Sequence, residues 1–177
     1  LFAIELKFNP SGQSVQDAIK QLKGRNAKNR LFRFEQGVLA SFAVDTLEVY
    51  MTTQLKGQET YFLPFNMGKG QGIDMGSGNP HNPDGVDTEY LWLDVMTKDS
   101  ILQLIESFIF FEIDKKDPKK KTLIFPRYHQ RRAVSRLLED MRSNHTESNY
   151  LIQHSAGSGK TNTIAWLAHS LVSLHDE

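Results

Sequence analysis

Two groups of residues in this chain have types and spacings that can do chemistry. The first lies in 153–163, QHSAGSGKTNT. Gly157 and Gly159 carry no Cβ, so the backbone can turn tightly there and aim N–H groups at an anion. Ser158 sits between them. Lys160 can reach the β- and γ-phosphates of a nucleoside triphosphate, and the Thr161 hydroxyl can hold Mg²⁺. The full phosphate-loop signature has Gly where His154 stands, but only a backbone turn is needed at that position. The second group is Glu5 and Lys7. Residues two apart on a strand project from one face. A carboxylate there can ligate Mg²⁺ as a Lewis acid on a phosphodiester, and an adjacent Lys can orient the attacking water or offset developing charge. The same Glu-x-Lys pattern also describes a solvent-facing ion pair.

Two glutamines stand near these groups. Gln21 lies three residues after Ala18, at the edge of an apolar helical face. Its amide needs a partner, either solvent or the Glu5–Lys7 strand. Gln130 lies in FPRYHQ, residues 125–130. A Gln amide is both donor and acceptor, so it can read the N6 and N7 edge of adenine, which selects ATP over GTP. Phe125, Arg127 or Tyr128 can stack on the base. The alternative for Gln130 is a solvated side chain at a helix start. Arg127, Arg131, Arg132, Arg136 and Arg142 make the following helix basic, either as a solvated face or as phosphate contacts.

These residues need elements to position them. Residues 1–8 alternate, with Phe2, Ile4, Leu6 and Phe8 on one side and Glu5 and Lys7 on the other, which predicts a strand with an apolar inner face. Ser14 with Asp17 resembles a capping box, and Val15, Ala18, Ile19 and Leu22 make one face of a helix. Residues 31–34 are predicted as a short strand, and 38–44 with 47–53 as a hairpin turning at Asp45-Thr46. Residues 64–85 hold six of the twelve Gly and three of the six Pro and read as a long loop. Helices are predicted over 88–95 and 100–111, the second capped by Thr97 or Asp99. Residues 114–121, DKKDPKKK, read as a charged linker and domain boundary. A helix is predicted over 127–142, with Ala133, Val134, Leu137, Leu138 and Met141 inward. A strand over 150–152 is expected to feed the glycine loop, and a helix over 164–174 to follow it.

Composition narrows the class. The 177 residues are 39% hydrophobic, enough for a core. Formal net charge is zero, so no global field points to nucleic acid. The chain has no Cys, which excludes disulfides, thiol catalysis and Cys-zinc sites. No apolar run reaches membrane-spanning length, and no signal peptide is evident. The six His show no metal-ligand spacing. The chain starts LFAIELKF, inside an apolar run, and ends about one helix past the glycine loop. It is therefore expected to be a piece of a longer protein.

The ordered set of segments resembles the restriction (R, motor) subunit of type I restriction-modification enzymes. IELKFNPSGQSVQDAIKQLK resembles the end of its PD-(D/E)xK nuclease core and the next helix. SFAVDTLEVYMTTQLKGQETYFLPFN, GNPHNPDG and TEYLWLDVMTKDSILQLIESFI resemble the rest of that region. FPRYHQRRAV resembles the adenine-reading Q motif of superfamily 2 helicases, and LIQHSAGSGKTNTIAWLAH the phosphate loop of the first RecA-like motor domain. The resemblance implies an α/β fold: the C-terminal part of a PD-(D/E)xK mixed sheet with helices over 1–113, the linker 114–121, and the start of a RecA-like domain over 122–177. It implies Glu5 as a metal ligand, Lys7 as the catalytic lysine, and Gln21 as the first residue of a Gln-x-x-x-Tyr element whose Tyr is replaced here by Arg25. Gln130 becomes the adenine reader, and Gly157, Ser158, Gly159, Lys160 and Thr161 the ATP-Mg²⁺ site. The implied activity is ATP-driven translocation and endonucleolytic cleavage of double-stranded DNA, in a bacterial or archaeal cytoplasm, with methylation and specificity subunits as partners. The first catalytic Asp and the later helicase motifs are not in this sequence, so the chain alone is expected to be inactive. Two other readings compete: a DNA motor in which Glu5 and Lys7 are a surface ion pair, and a noncatalytic docking module for partner subunits.

Overall fold

The computed structural model describes residues 1–70, 77–144, 149–155 and 157–174; residues 71–76 of the glycine-rich stretch and Ala156 of the glycine loop lie outside these. Strand β1 (Phe2–Leu6) leads through helix α1 (Val15–Lys23) to β2 (Ala40–Val44), which lies parallel to β1. Parallel neighbours require a crossover, and α1 supplies it. Strands β3 (Val49–Thr52) and β4 (Leu63–Pro64) then add antiparallel, giving a mixed sheet in the order β1-β2-β3-β4. The hairpin expected around Asp45-Thr46 is formed. All five residues of β2 are buried, as suits a strand covered on both faces.

Helix α1 starts as its sequence suggests. The Asp17 carboxylate accepts from the Ser14 backbone N–H at 2.8 Å, and that bond holds its pKa below the usual range. Val15, Ala18 and Leu22 are buried against Ala43, Leu55 and Phe62. The opposite sheet face carries the larger core. There Phe2, Phe42, Phe65 and Phe125 meet edge to face, with ring centroids 5.4–6.1 Å apart. Such pairs add about 1 kcal/mol each beyond the area they bury. Asn79 is fully buried; its amide donates to the Leu47 carbonyl and to Asn66 Oδ1, and its Oδ1 accepts from the Met67 N–H. One buried side chain thus ties the described parts of the 64–85 stretch to the hairpin.

The helical layer departs from the expected boundaries. Residues Leu91–Val95 form a single wide turn closed by Met96 N–H on the Leu91 carbonyl. Helix α2 (Lys98–Gln103) is capped by Thr97, whose Oγ1 accepts from the Ser100 N–H, and widens into a π turn over Leu104–Phe108. The helix predicted to reach residue 111 stops there, because Phe110–Ile113 (β5) pairs antiparallel with Lys121–Ile124 (β6). The charged stretch predicted as a linker closes this hairpin. Asp114 Oδ1 accepts from the Lys116 and Asp117 N–H groups, and Lys121 opens β6. Helices α3 (Tyr128–Asn144) and α4 (Lys160–Leu174) follow. Val134, Leu137 and Leu138 are buried on the predicted face of α3. Trp166 of α4 donates to the Phe108 carbonyl at 2.9 Å, so the large core draws on residues from both sides of 114–121.

Three strand expectations need correction. Residues 31–34 form turns, because Asn29 Oδ1 accepts from the Leu31 N–H and satisfies the backbone locally. Residues 150–152 make no strand among the described residues; Leu151 is 94% exposed, and a strand without a neighbour has no ladder to hold it. In β1 the faces are reversed in burial. Ile4, Leu6 and Phe8 are exposed, whereas Glu5 and Lys7 are mostly covered by α1. At a sheet edge, burial follows what packs on top, and α1 lies over the polar face.

Candidate functional site

The polar face of β1 is where sequence expectation and geometry meet. Glu5 and Lys7 project from the same side, and Lys7 Nζ lies 3.3 Å from Glu5 Oε1. Lys7 Nζ also donates to Gln21 Oε1 at 2.7 Å. Gln21 therefore reaches the strand although it remains exposed to solvent. Arg25, one turn further along, places its Nη2 3.1 Å from Glu5 Oε2. Lys7, Gln21, Arg25, Lys20 and Asp17 line one recess of about 540 Å³ beside Gly24.

A residue absent from the sequence reading of the site holds this arrangement. Asp45 is buried at the hairpin turn. Its Oδ2 accepts from the Val15 N–H at 2.7 Å and from Asn9 Nδ2 at 3.0 Å; its Oδ1 accepts from the Leu47 and Glu48 N–H groups at 2.8 Å. The first two bonds pin the start of α1 to the sheet, so the helix lands with Gln21 over Lys7. An Asp after a strand and before a turn signals this capping role, but its reach to residue 15 is not visible locally.

As the residues stand, they do not fit a divalent cation. Such an ion takes several oxygens with free lone pairs. Glu5 offers two, and each already faces a cation. Among the described residues, no group of three or more His, Cys, Asp or Glu could hold a metal ion. In this arrangement Glu5 supports no chemical step through a metal.

The glycine loop has a different character. Gly157 and Gly159 adopt φ of 71° and 82°, the left-handed region that favours Gly. Helix α4 begins at Lys160, so its first N–H groups have no partner within the helix and point at whatever lies beyond its N-terminus. Gly157, Gly159, Lys160 and Thr161 are exposed, leaving an anion a way in. Ser158 Oγ is buried with no hydrogen-bond partner among the described residues. Lys160 Nζ donates to the His154 carbonyl at 3.1 Å, a bond that a phosphate oxygen can replace. A cleft of about 840 Å³ reaches from this loop to Gln130, Arg127, Thr52 and the β5–β6 hairpin, large enough for a nucleotide. These residues fit a triphosphate.

Gln130 is buried and tied at both ends. Its Oε1 accepts from the Arg127 N–H, and its Nε2 donates to the Gly159 carbonyl, both at 2.9 Å. One lone pair and one amide hydrogen remain for another partner. Of the expected stacking residues, Tyr128 is packed against Phe65 and Tyr90 and is lost to the core, while Phe125 and Arg127 line the cleft. Arg131 is not a phosphate contact either: its guanidinium makes a two-pronged pair with Asp94 at 3.1 Å on both arms. His129 and His154 stand edge to face with ring centroids 5.3 Å apart. Burial lowers the pKa of both; His154 and Arg127 lower that of His129 further, and Lys160 that of His154.

The family model described as "Type III restriction enzyme, res subunit" matches residues 123–177. The chain is also 37% identical over 84 residues to the "Putative type I restriction enzyme MjaVIIIP endonuclease subunit" of Methanocaldococcus jannaschii. The chain is similar to restriction-enzyme subunits over part of its length. The second match covers 45% of this chain and 8% of the relative, so the chain spans a small part of the curated protein it matches. No solved structure matches. The resemblance to restriction subunits read from the motifs is thus supported, and the matched stretch 123–177 contains Gln130 and the whole glycine loop. The α/β class is borne out by the mixed sheet and its helices. Among the described residues, no helix is long and apolar enough to cross a membrane.

Proposed function

We propose that this chain is part of the restriction subunit of a type I restriction-modification enzyme, an ATP-driven double-stranded DNA translocase that also cleaves DNA. Residues 1–113 are read as nuclease-like, 114–121 as the junction, and 122–177 as the start of a RecA-like motor domain. The observation that carries the motor half is the glycine loop, with Gly157, Gly159, Lys160 and Thr161 exposed, a Ser158 hydroxyl that has no partner among the described residues, and Lys160 resting on a replaceable carbonyl. Bound ATP would supply the bond whose hydrolysis drives movement. The chain's own residues would bind and orient it: the 157–161 backbone and Lys160 would hold phosphates, the Thr161 hydroxyl would serve as a ligand for the accompanying Mg²⁺, and Gln130 would offer its remaining hydrogen-bonding capacity to the base.

The nuclease half is supported by Glu5, Lys7 and Gln21, brought together from a strand and a helix. Lys7 is read as the group that holds the scissile phosphate or its attacking water, with Gln21 keeping the ammonium in place. Methylation and specificity subunits are the partners this reading implies.

The test uses the full-length protein with its partner subunits on plasmid DNA. Lys160→Ala should abolish ATP hydrolysis, translocation and cutting together. Full ATP turnover by Lys160→Ala would remove the motor assignment. Cutting that survives Lys7→Ala would leave a motor with a structural ion pair on β1.

A further inference from the structure

The chain is neutral overall, with 21 Lys and Arg against 21 Asp and Glu, but its cations are unevenly placed. Residues 18–34 contain no Asp or Glu, while Lys20, Lys23, Arg25, Lys28, Arg30 and Arg33 all fall there. Residues 115–121 hold five more lysines and a single acid, Asp117. Two short stretches therefore carry more than half of the positive side chains. The acids beside the second stretch shape its turn: Asp114 accepts from the Lys116 and Asp117 N–H groups, and Asp117 from the Lys119 N–H.

The fold brings the two stretches together. Phe34 and Phe111 meet edge to face with ring centroids 5.9 Å apart, and Glu35, the first acid after Asp17, pairs with Lys121 at 3.1 Å. At the other end, Lys20 and Arg25 line the recess that also holds Lys7. The turns between are fixed: Asn26 Oδ1 accepts from the Lys28 N–H, and Arg33 Nη2 donates to the Lys28 carbonyl. Lys28, Arg30, Lys115 and Lys116 are exposed and make no ion pair among the described residues. A helix C-terminus favours nearby cations, which accounts for Lys20 and Lys23. It does not account for Lys28, Arg30 or the hairpin lysines, which lie outside any helix. Like charges held close on a fixed backbone repel one another, and a polyanion relieves that repulsion.

We propose that these stretches form one track for the phosphate backbone of duplex DNA, running from the β1 recess across the 25–33 turns to the β5–β6 turn. Its cations neutralise phosphates and displace condensed counterions, so they add affinity without sequence preference. An acidic protein face is the competing occupant. Interfaces between proteins are depleted of Lys, however, whereas those with DNA are rich in positive charge. The choice of DNA as the polyanion rests on the reading of the chain as part of a DNA translocase. The track itself rests on charge and contacts.

The test is binding of a short fluorescent DNA duplex by the full-length protein without nucleotide, across a series of KCl concentrations. Wild type is compared with Lys28→Gln plus Arg30→Gln, with Lys115→Gln plus Lys116→Gln, and with Lys98→Gln on α2, an exposed cation outside both stretches. Each pair should lower the slope of log affinity against log salt by about 1 to 2, with binding about tenfold weaker at low salt. Lys98→Gln should leave the slope unchanged. An unchanged slope in both pairs would overturn the track. A drop in one pair alone, or a drop in Lys98→Gln as large per charge as in the pairs, would overturn it too. Pairs that bind DNA normally but no longer assemble with partner subunits would give the surface to an acidic protein face and end the DNA assignment. The readout involves neither ATP hydrolysis nor cutting, so its failure leaves the motor and nuclease readings to their own tests.

Discussion

At Glu5, side chains from a strand and a helix converge and satisfy one another. At residues 157–161, exposed backbone stands ahead of a helix N-terminus, and the buried Ser158 hydroxyl has no partner among the described residues. The first site is defined by tertiary packing: Gln21 and Arg25 reach β1 from a helix whose apolar face packs on the sheet and whose start Asp45 holds. The second is defined by local backbone geometry, two glycines at positive φ ahead of a helix N-terminus. A site made of side chains can be disabled from a distance. A site made of backbone is most sensitive to what sits within the loop itself.

The largest separation of the two should come from Asp45→Ala. It removes four hydrogen bonds and leaves the buried Val15 N–H unpaired, a loss of about 3 kcal/mol. Hydrogen exchange in peptides covering Val15 and Leu47 should speed up on the order of a hundredfold, with exchange over 157–165 little changed. Equal acceleration in both regions would show that the sites are not independent.

Next in size is a contrast within the glycine loop. A Cβ on Gly159 would lie 2.5 Å from Gln130 Nε2 in a backbone that L-residues resist, whereas one on Gly157 meets nothing within 4 Å. Both substitutions carry about 1–2 kcal/mol of backbone strain, and only Gly159→Ala also displaces Gln130. ATP binding, followed by fluorescence of a labelled analogue, should weaken more than tenfold in Gly159→Ala and only several-fold in Gly157→Ala. The reverse order would place Gln130 outside the loop's support.

A smaller effect is expected from pH. Burial lowers the pKa of His129 and His154 from 6.5, so the unfolded loop takes up protons first. Stability of the α3–glycine loop contact should hold above about pH 6.5 and fall as pH drops below it, toward the lowered folded-state values. Exchange rates over 127–131 and 157–163 at pH 7.5 and 5.5, corrected for intrinsic rates, would display this, and His129→Asn should flatten the slope. The Glu5 site, which has no His, should show no such slope.

The smallest change is Gln21→Ala. It removes one hydrogen bond at the rim of the recess, worth under about 1 kcal/mol to the fold, yet it frees Lys7 to move. DNA cutting should fall while the melting temperature stays close to that of the wild type.

The legibility of these regions in the sequence follows the same division. The glycine loop, α1 with its Val15, Ala18 and Leu22 face, and the hairpin at Asp45 are written in local patterns, and each is found where expected. The burial of β1 is not legible, because alternation tells which residues share a face but not which face α1 will cover. Residues 114–121 read as a linker because charge and Pro are equally characteristic of a hairpin turn; only β5 pairing with β6 separates the two. Tyr128 reads as available to a base and is instead core, since an aromatic at a helix start carries no mark of which neighbour it meets. Gln21 over Lys7 is one of two options open in the sequence, and the choice depends on Asp45, thirty residues from the helix start it holds.

The most direct test of the two-site account is Lys7→Ala in the full-length protein with its partner subunits, assayed in one tube for ATP hydrolysis and for cutting of plasmid DNA. The account predicts cutting reduced at least a hundredfold, on the order of the loss seen when a preorganised charge leaves a developing negative centre, with ATP hydrolysis unchanged. Unchanged cutting, or a matching loss of ATP hydrolysis, would contradict it.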